Sequence, residues 1–408
     1  WAIVWIVLAN IAFASMWFIG APPRFAEIAA AGAVGLIIRK APAWCRYAAF
    51  IGVLAYSLLG FIAGLFNLAI GSLLHSMKFF LEINPANSIE YVIGAVLLMV
   101  ICGLAWWQIK RPQGFVDTRL VLLAVVLILS LIAVDRMMGQ GMRGHYMRTA
   151  EVGTPFTSAS ASSGFGVIAE GKPRNLMLIM VESMGEPVGN AEMDRLLFAR
   201  YNTSAITNRF EMSSGESTYF NSTTAAEIRE LCGRWGDYYE VLEEADTGWW
   251  YPNIGFEKIE FAETLIARGA LECGGVFAGA CDRDVPALLA QDIKAADKPQ
   301  FIYWLTVNSH LPVPLGMNLD VDQCETVSAV LDEDYPMICR QFALWDQMDK
   351  AIINEITQDD FPETDILIVG DHMPPYYDRH HRSQFAPDKV PWLMLRWRDD
   401  TTAANDDG

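Results

Sequence analysis

Asn175-Leu176-Met177-Leu178-Ile179-Met180-Val181-Glu182-Ser183 is an unbroken apolar run, opened by an amide and closed by a carboxylate and a hydroxyl. Continuous apolarity over strand length, without alternation, marks a strand covered on both faces. Phe301–Val307, Asp365–Val369 and Pro391–Trp397 repeat the signal. Between them Val285–Ala295 and Phe342–Ile356 carry apolar residues at three-to-four spacing and are expected to be amphipathic helices. That alternation predicts an α/β domain, a sheet with helices on both faces. In such sheets ligands sit beyond the carboxyl ends of the strands. The ends here are Glu182-Ser183, Asn308-Ser309-His310 and Gly370-Asp371-His372, three polar endings able to bind metal.

Upstream the composition changes. The chain of 408 residues is 52% hydrophobic, and the apolar residues crowd into Trp1–Gly20, Phe25–Ile38, Tyr47–Leu74, Tyr91–Gln108 and Leu120–Val134. These are expected to be five membrane helices. A crossing needs about 20 residues, so the second and fifth are short, and either also reads as a buried helix. Arg39, Lys40 and Arg46 follow the second segment and Lys110, Arg111 and Arg119 the fourth, whereas the other two loops hold only Arg24 and Lys78. Basic residues stay on the cytoplasmic side. The N-terminus is therefore expected inside and everything after Val134 outside. The opening at Trp1, without Met or a basic n-region, reads as a missing start with no cleavable signal peptide.

Residues 151–408 hold 19 Lys+Arg and 43 Asp+Glu, a net charge of −24. Nucleic-acid binding rests on basic side chains that neutralise phosphates, so that class is set aside. An anionic lipid would likewise need a local cation, from a side chain or a metal. Among seven cysteines, Cys273 with Cys281 and Cys324 with Cys339 can close short loops, which fits an oxidising compartment; Cys232 is left over. Between Asp135 and Lys172 the chain is rich in Gly, Ser, Thr and Ala, notably over Thr157–Gly166, and reads as a linker, with Arg136, Arg143 and Arg148 suited to lipid head groups. The division is a five-helix domain at 1–134, a juxtamembrane segment at 135–172 and a catalytic domain at 173–408.

Glu182, Asp371 and His372 supply carboxylate oxygens and an imidazole, a set suited to Mn²⁺ or Zn²⁺ and less to Mg²⁺. Three protein ligands leave an open position for a nucleophile. Asn221-Ser222-Thr223-Thr224-Ala225-Ala226-Glu227 places hydroxyls at the start of a helix. There Ser222 can act as the cap, and an anion at Thr223 is favoured by the helix terminus. A metal lowers a hydroxyl pKa and activates it. Simple capping is the competing reading of the same residues.

Asn175 through Ser183, Thr223 through Gly233, Asn308-Ser309-His310 and Gly370-Asp371-His372-Met373-Pro374-Pro375 together resemble the lipoteichoic acid synthase and phosphoglycerol transferase branch of the alkaline phosphatase (sulfatase-like) superfamily. The resemblance covers Asn175 to Arg396. It implies a five-helix transmembrane domain followed by a sulfatase-like extracytoplasmic domain in a bacterial cell membrane. It also implies one divalent metal on Glu182, Thr223, Asp371 and His372, a phosphoryl intermediate on Thr223, and His310 on the substrate phosphate. Thr223 is preferred over Thr224 because the family's nucleophile lies four positions before a Glu, here Glu227. Arg229, His380, His381 and Arg382 are further candidates, the last three at the rim of the site or in a solvated loop.

The implied reaction moves a phosphoglycerol-type head group from a phospholipid, phosphatidylglycerol by the resemblance, to a glycan or glycolipid acceptor. The rival enzyme moves phosphoethanolamine; a binding protein with a decayed site is the alternative outside enzymes. A sulfatase would need a Cys/Ser-x-Pro-x-Arg motif, which the chain lacks. One departure concerns the head group. Family members carry a long arm with a His and an Arg after the Cys-Gly element, whereas here Trp250-Tyr251-Pro252 follows Cys232-Gly233 closely with no His between. The amphipathic run Met77–Ile83 reads as a connecting helix or an interfacial one that guides lipid.

Overall fold

The computed structural model describes residues 1–14, 24–65, 89–111, 119–138, 150, 153–167, 173–236, 251–275, 277–376 and 379–399. The chain divides into two compact units, Trp1–His145 and Tyr146–Gly408.

In the first unit a π-helical turn, Ile3–Leu8, precedes helices Phe25–Ile37, Ala43–Leu65, Ile89–Ile109 and Arg119–Met138. Among the described residues three of the five expected segments form helices long and apolar enough to cross a membrane: Ala43–Ile62, Val92–Ile109 and Leu120–Met138. The fifth apolar segment is thus of spanning length. The second is not, because 13 residues rise only about 20 Å against a hydrocarbon core of about 30 Å. Its Ala31, Gly32 and Gly35 are buried. A Cβ on Gly32 would lie 2.3 Å from Ile128 Cδ1, and one on Gly35 2.4 Å from Trp5 Cγ. Small residues there let neighbouring helices approach. The first segment is described only as far as Ala14, and Met77–Ile83 lies outside the described residues.

The second unit is built on strands β1 (Asn175–Val181), β2 (Phe210–Thr218), β5 (Phe301–Leu305), β6 (Thr364–Gly370) and β7 (Lys389–Trp397), in the order β2-β7-β6-β1-β5; β3 (Glu272–Cys273) and β4 (Gly279–Ala280) form a separate hairpin. The apolar runs read from sequence are the four strands β1, β5, β6 and β7. Strand β2, Phe-Glu-Met-Ser-Ser-Gly-Glu-Ser-Thr, has no apolar run, because as an edge strand it is exposed along most of its length. β1 runs parallel to β5 and β6, and β7 antiparallel to β6. The register pairs Met180 with Leu305 and Val181 with Gly370. Three carboxyl ends are therefore flush, and the residues that follow them emerge side by side.

Helix Val285–Ala295 has the expected bounds, and Pro336–Ile356 begins nearly two turns before the expected Phe342. The Thr157–Gly166 run, expected to be linker, contains a docked helix, Ala159–Ser163, with Ser158 and Ala159 buried. Its small residues fit against neighbours instead of leaving a flexible chain. Cys273–Cys281 and Cys324–Cys339 are both disulfide-bonded, as expected.

Candidate metal and nucleophile centre

Strand register builds the centre. Because Val181 pairs with Gly370, Glu182 and Asp371 follow as neighbours at the ends of β1 and β6. Gly370 must be glycine, since a Cβ there would fall 1.9 Å from Met184 O. After Glu182 the chain turns through Ser183 at φ 56°, a left-handed conformation that costs about 1–3 kcal/mol and persists where surroundings enforce it. The enforcement is visible: Ser183 N–H donates to Asp371 Oδ1 at 2.7 Å, and Ser183 Oγ donates to Glu182 Oε1 at 2.8 Å. His372 N–H donates to the same Asp371 Oδ1 at 2.6 Å.

The third member arrives on helix Thr223–Cys232, after a left-handed turn at Asn221 (φ 70°). Thr223 is its first residue. Its Oγ1 lies 2.8 Å from Asp371 Oδ2, 3.1 Å from Glu182 Oε2 and 3.4 Å from His372 Nε2. Ser222 makes no side-chain capping bond, contrary to expectation, because its hydroxyl is not turned onto the first N–H groups. Those backbone donors stay available to an anion beside Thr223. Thr224, on the next step of the helix, is buried and takes part in none of these bonds.

His372 Nδ1 faces Met373 O at 2.9 Å, which fixes the proton on Nδ1 and turns the Nε2 lone pair inward. Nε2 lies 3.4 Å from Glu182 Oε1 and 3.3 Å from Asp371 Oδ2. Burial and the charge of Glu182 push the Asp371 carboxyl well up. Burial alone would lower His372, but Asp371 and Glu182 raise it. The ligand atoms of Glu182, Asp371 and His372 lie within 4.8 Å of one another, all in buried residues. Two carboxylates and an imidazole lone pair converging out of water repel one another unless a proton or cation sits between them. The donor set therefore fits one divalent metal.

The surrounding residues fix this geometry. Thr306 Oγ1 accepts from Glu182 N–H at 2.9 Å and Ser309 Oγ donates to Glu182 O at 2.6 Å. Asp282 accepts from Asn308 N–H at 2.8 Å and from Val307 N–H at 3.1 Å; burial pushes its carboxyl up to about 7 against those bonds. Gln341, fully buried, donates to Ser183 O at 3.3 Å and Ser309 O at 3.0 Å while accepting from Tyr376 Oη at 2.7 Å. One side chain thus ties the ends of β1 and β5. Sequence reading missed Gln341 because it is one polar residue on an apolar helix face. Asp282 was missed because nothing marks it among exposed acids.

The remaining candidates fall in different places. His310 Nδ1 faces Leu311 O at 2.9 Å and its ring meets Phe277 edge-on at 4.6 Å; burial pushes its imidazole down, against the pull of Glu182. Arg229 is buried, donating to Glu230 Oε1 at 2.6 Å and to Gly370 O at 3.1 Å, so it works behind the ligands. His380 stacks on Tyr335 at 4.6 Å, and His381 lies against Tyr376 at 5.4 Å. His381 is buried, which corrects the solvated-loop alternative for it. Arg382 lies beside them in helix Arg379–Arg382. Glu227, one turn after Thr223, accepts from Tyr251 Oη and from Tyr303 Oη (2.7 Å), and burial pushes its carboxyl up to about 7.

No protein-family model matches this chain, and no curated protein does. Solved structures are similar to it. One is a protein in the alkaline phosphatase superfamily from Vibrio parahaemolyticus, at 14% identity and TM-score 0.35, matching 56% of this chain and 61% of that one. Another is the lipoteichoic acid synthase LtaP from Listeria monocytogenes, at 14% identity and TM-score 0.33, matching 60% and 70%. A third is the integral membrane lipooligosaccharide phosphoethanolamine transferase A (EptA) from Neisseria meningitidis, at 14% identity and TM-score 0.41, matching 99% and 88%. The chain thus spans less than two thirds of the Vibrio protein. The superfamily that its motifs resemble is that of the Vibrio protein.

Proposed function

We propose that this chain is a membrane-bound, metal-dependent transferase that moves a phosphoglycerol-type head group from a phospholipid to an extracytoplasmic glycan or lipid-linked acceptor. The observation that carries the reading is the position of Thr223 Oγ1, at a helix N-terminus and within 3.4 Å of Glu182, Asp371 and His372. A hydroxyl held among metal ligands is an activated nucleophile. Glu182, Asp371, His372 and Thr223 would hold Mn²⁺ or Zn²⁺, which supplies Lewis-acid polarisation and lowers the hydroxyl pKa.

The chain's own residues divide the remaining work. Thr223 Oγ1 gives up its proton and forms a bond to the head-group phosphorus; the bond from phosphorus to the diacylglycerol oxygen breaks, and that oxygen takes a proton. An acceptor hydroxyl then forms the new phosphorus–oxygen bond, and Thr223 leaves as it is reprotonated. The uncapped N–H groups that open the Thr223–Cys232 helix face charge on the transferring phosphoryl oxygens, where positioned dipoles act most strongly. His310 completes the phosphate contacts.

The test is mass spectrometry of the full chain in detergent after incubation with phosphatidylglycerol carrying a labelled head group. A phosphoglycerol adduct on the peptide containing Thr223 is expected. A phosphoethanolamine adduct on that peptide, formed from phosphatidylethanolamine when phosphatidylglycerol gives none, assigns the rival head group; no adduct from either lipid ends the transferase reading.

A further inference from the structure

One residue of the Thr223–Cys232 helix, Glu230, is engaged by a stretch of chain far from it in sequence. The short helix Ala159–Ser163 begins at Ser158, whose side chain accepts from Ala161 N–H at 3.1 Å. Its next two backbone donors turn elsewhere. Ala159 N–H reaches Glu230 Oε1 at 3.1 Å, Ser160 N–H reaches Glu230 Oε2 at 2.8 Å, and Ser160 Oγ donates to the same oxygen at 2.7 Å. The Glu230 side chain is 0% exposed and carries Arg229 Nε at 2.6 Å as its counter-charge. Arg229 Nη2 continues the chain of bonds to Gly370 O at 3.1 Å, on the peptide unit that leads into Asp371.

Aromatic contacts brace the same helix from outside. Phe156 meets Trp235 at 5.1 Å and Trp235 meets Phe220 at 4.8 Å, both edge to face. Trp235 Nε1 also donates to Thr154 O at 3.4 Å. Phe220 lies just before Thr223 and Trp235 just after Cys232, so Trp235 bridges the start of the helix to the Thr154–Phe156 neighbourhood. Downstream, Arg396 on β7 donates to Ser163 O at 3.3 Å and Gly164 O at 3.0 Å. A helix of five residues has no stability of its own. It exists because charged side chains hold its two ends.

We propose that Glu230 is a positioning residue through which the segment 154–167, which follows the last spanning helix in sequence, aligns Thr223 with Asp371. The proposal rests on the transferase reading for the identity of Thr223 as nucleophile. The geometric reason is short leverage: Glu230 and Arg229 lie two turns from Thr223 on one rigid helix, and Arg229 also holds the strand end that carries Asp371. Releasing the carboxylate shifts helix and strand end independently. The 2.8 Å approach of Thr223 Oγ1 to Asp371 Oδ2 is the distance that suffers.

The experiment uses the full chain in lipid nanodiscs and three variants. Glu230→Gln keeps the shape but removes the charge, Ser160→Ala removes one of the three bonds from the segment, and Arg396→Gln releases the far end of the short helix without touching Arg229 or Thr223. Calorimetric titration with Zn²⁺ and with Mn²⁺ reads the ligand shell directly, beside kcat, KM and Tm. Glu230→Gln is expected to weaken metal affinity about tenfold or more, the range seen when residues behind metal ligands are lost, and to lower kcat with KM unchanged. Ser160→Ala and Arg396→Gln should move both quantities the same way by less. A lower Tm in folded variants with unchanged metal affinity and kcat overturns the proposal and leaves the segment a structural brace. Should Glu230→Gln not fold, the two milder variants decide by the same criterion. If wild-type chain forms no adduct on Thr223, the transferase reading fails, while the metal titration still decides whether Glu230 aligns the ligands.

Discussion

Thr223 Oγ1 and Asp371 Oδ2 stand 2.8 Å apart although 148 positions separate them in the chain. One is the first residue of a helix and the other the first residue after a strand, so neither is placed by its neighbours in sequence alone. The helix reaches the strand end because Asn221 takes a left-handed turn just ahead of it, and the strand end is open to it because Gly370 has no side chain.

If Thr223 carries the covalent intermediate, Thr223→Ala should lower kcat at least about a thousandfold, the order lost when a covalent nucleophile is removed. Thr224→Ala should stay near wild type, since that side chain takes no part in the carboxylate bonds. A labelled head group on Thr224, with turnover retained in Thr223→Ala, would transfer the role to Thr224.

Much of this was legible in the amino-acid sequence because both-face burial writes itself as unbroken apolarity. β1 and β6 announce themselves, and their terminal Glu182 and Asp371 with them. The edge strand β2 was silent, since one exposed edge and a Gly215 pressed against Trp392 leave no apolar pattern. The Thr157–Gly166 stretch misled for a related reason. Its small polar residues look like a linker, while what holds them is Glu230 and Arg396, distant in sequence and visible only in space. Gln341 is a third case, a buried amide whose partners are backbone carbonyls on other elements.

Removal of the metal tests the ligand set separately from chemistry. Asp371→Ala and Glu182→Ala should each weaken Zn²⁺ or Mn²⁺ binding by more than the roughly 10–100-fold typical of a residue behind the ligands. Chelation of the wild type should lower its Tm, because a cation that binds only the folded centre stabilises it by mass action. Unchanged affinity in either variant, measured by calorimetry, would exclude that residue from the shell.

Asp349 gives a dependence on pH away from the centre. It is buried, and Tyr201 Oη donates to its Oδ1 at 2.9 Å. Burial pushes the carboxyl from 3.8 up to about 7; the Tyr201 bond opposes this and the charge of Asp346 adds to it. Between those two values the folded chain keeps a proton that the unfolded chain has lost. Stability from this group is therefore complete below 3.8 and is lost as pH rises to about 7. Asp349→Asn should remove that slope, so the Tm of the variant relative to wild type should be higher at pH 8 than at pH 5. An equal difference at both pH values would show that Asp349 ionises normally.

The last prediction concerns the side of the membrane on which Thr223 works, and it does not depend on whether the first two apolar segments cross. Among the described residues three helices, beginning at Ala43, have spanning length. Arg39, Lys40 and Arg46 lie at or before the start of the first of them, Lys78 lies between the first and second, and Lys110, Arg111 and Arg119 lie between the second and third. Retention of basic loops in the cytoplasm puts the first and last of these groups inside and Lys78 outside. A third crossing is then expected to deliver everything after Met138 to the outside, whether or not the two segments before Arg39 cross. Topology reporters inserted between Arg39 and Arg46, and between Arg111 and Arg119, should be active only in the cytoplasm; one fused after Gly408 should be active only outside. The disulfides Cys273–Cys281 and Cys324–Cys339 require the same oxidising side. Cytoplasmic activity of the fusion after Gly408, with those cysteines recovered as free thiols, would place Thr223 beside inner-leaflet lipid, where an extracytoplasmic glycan acceptor does not exist.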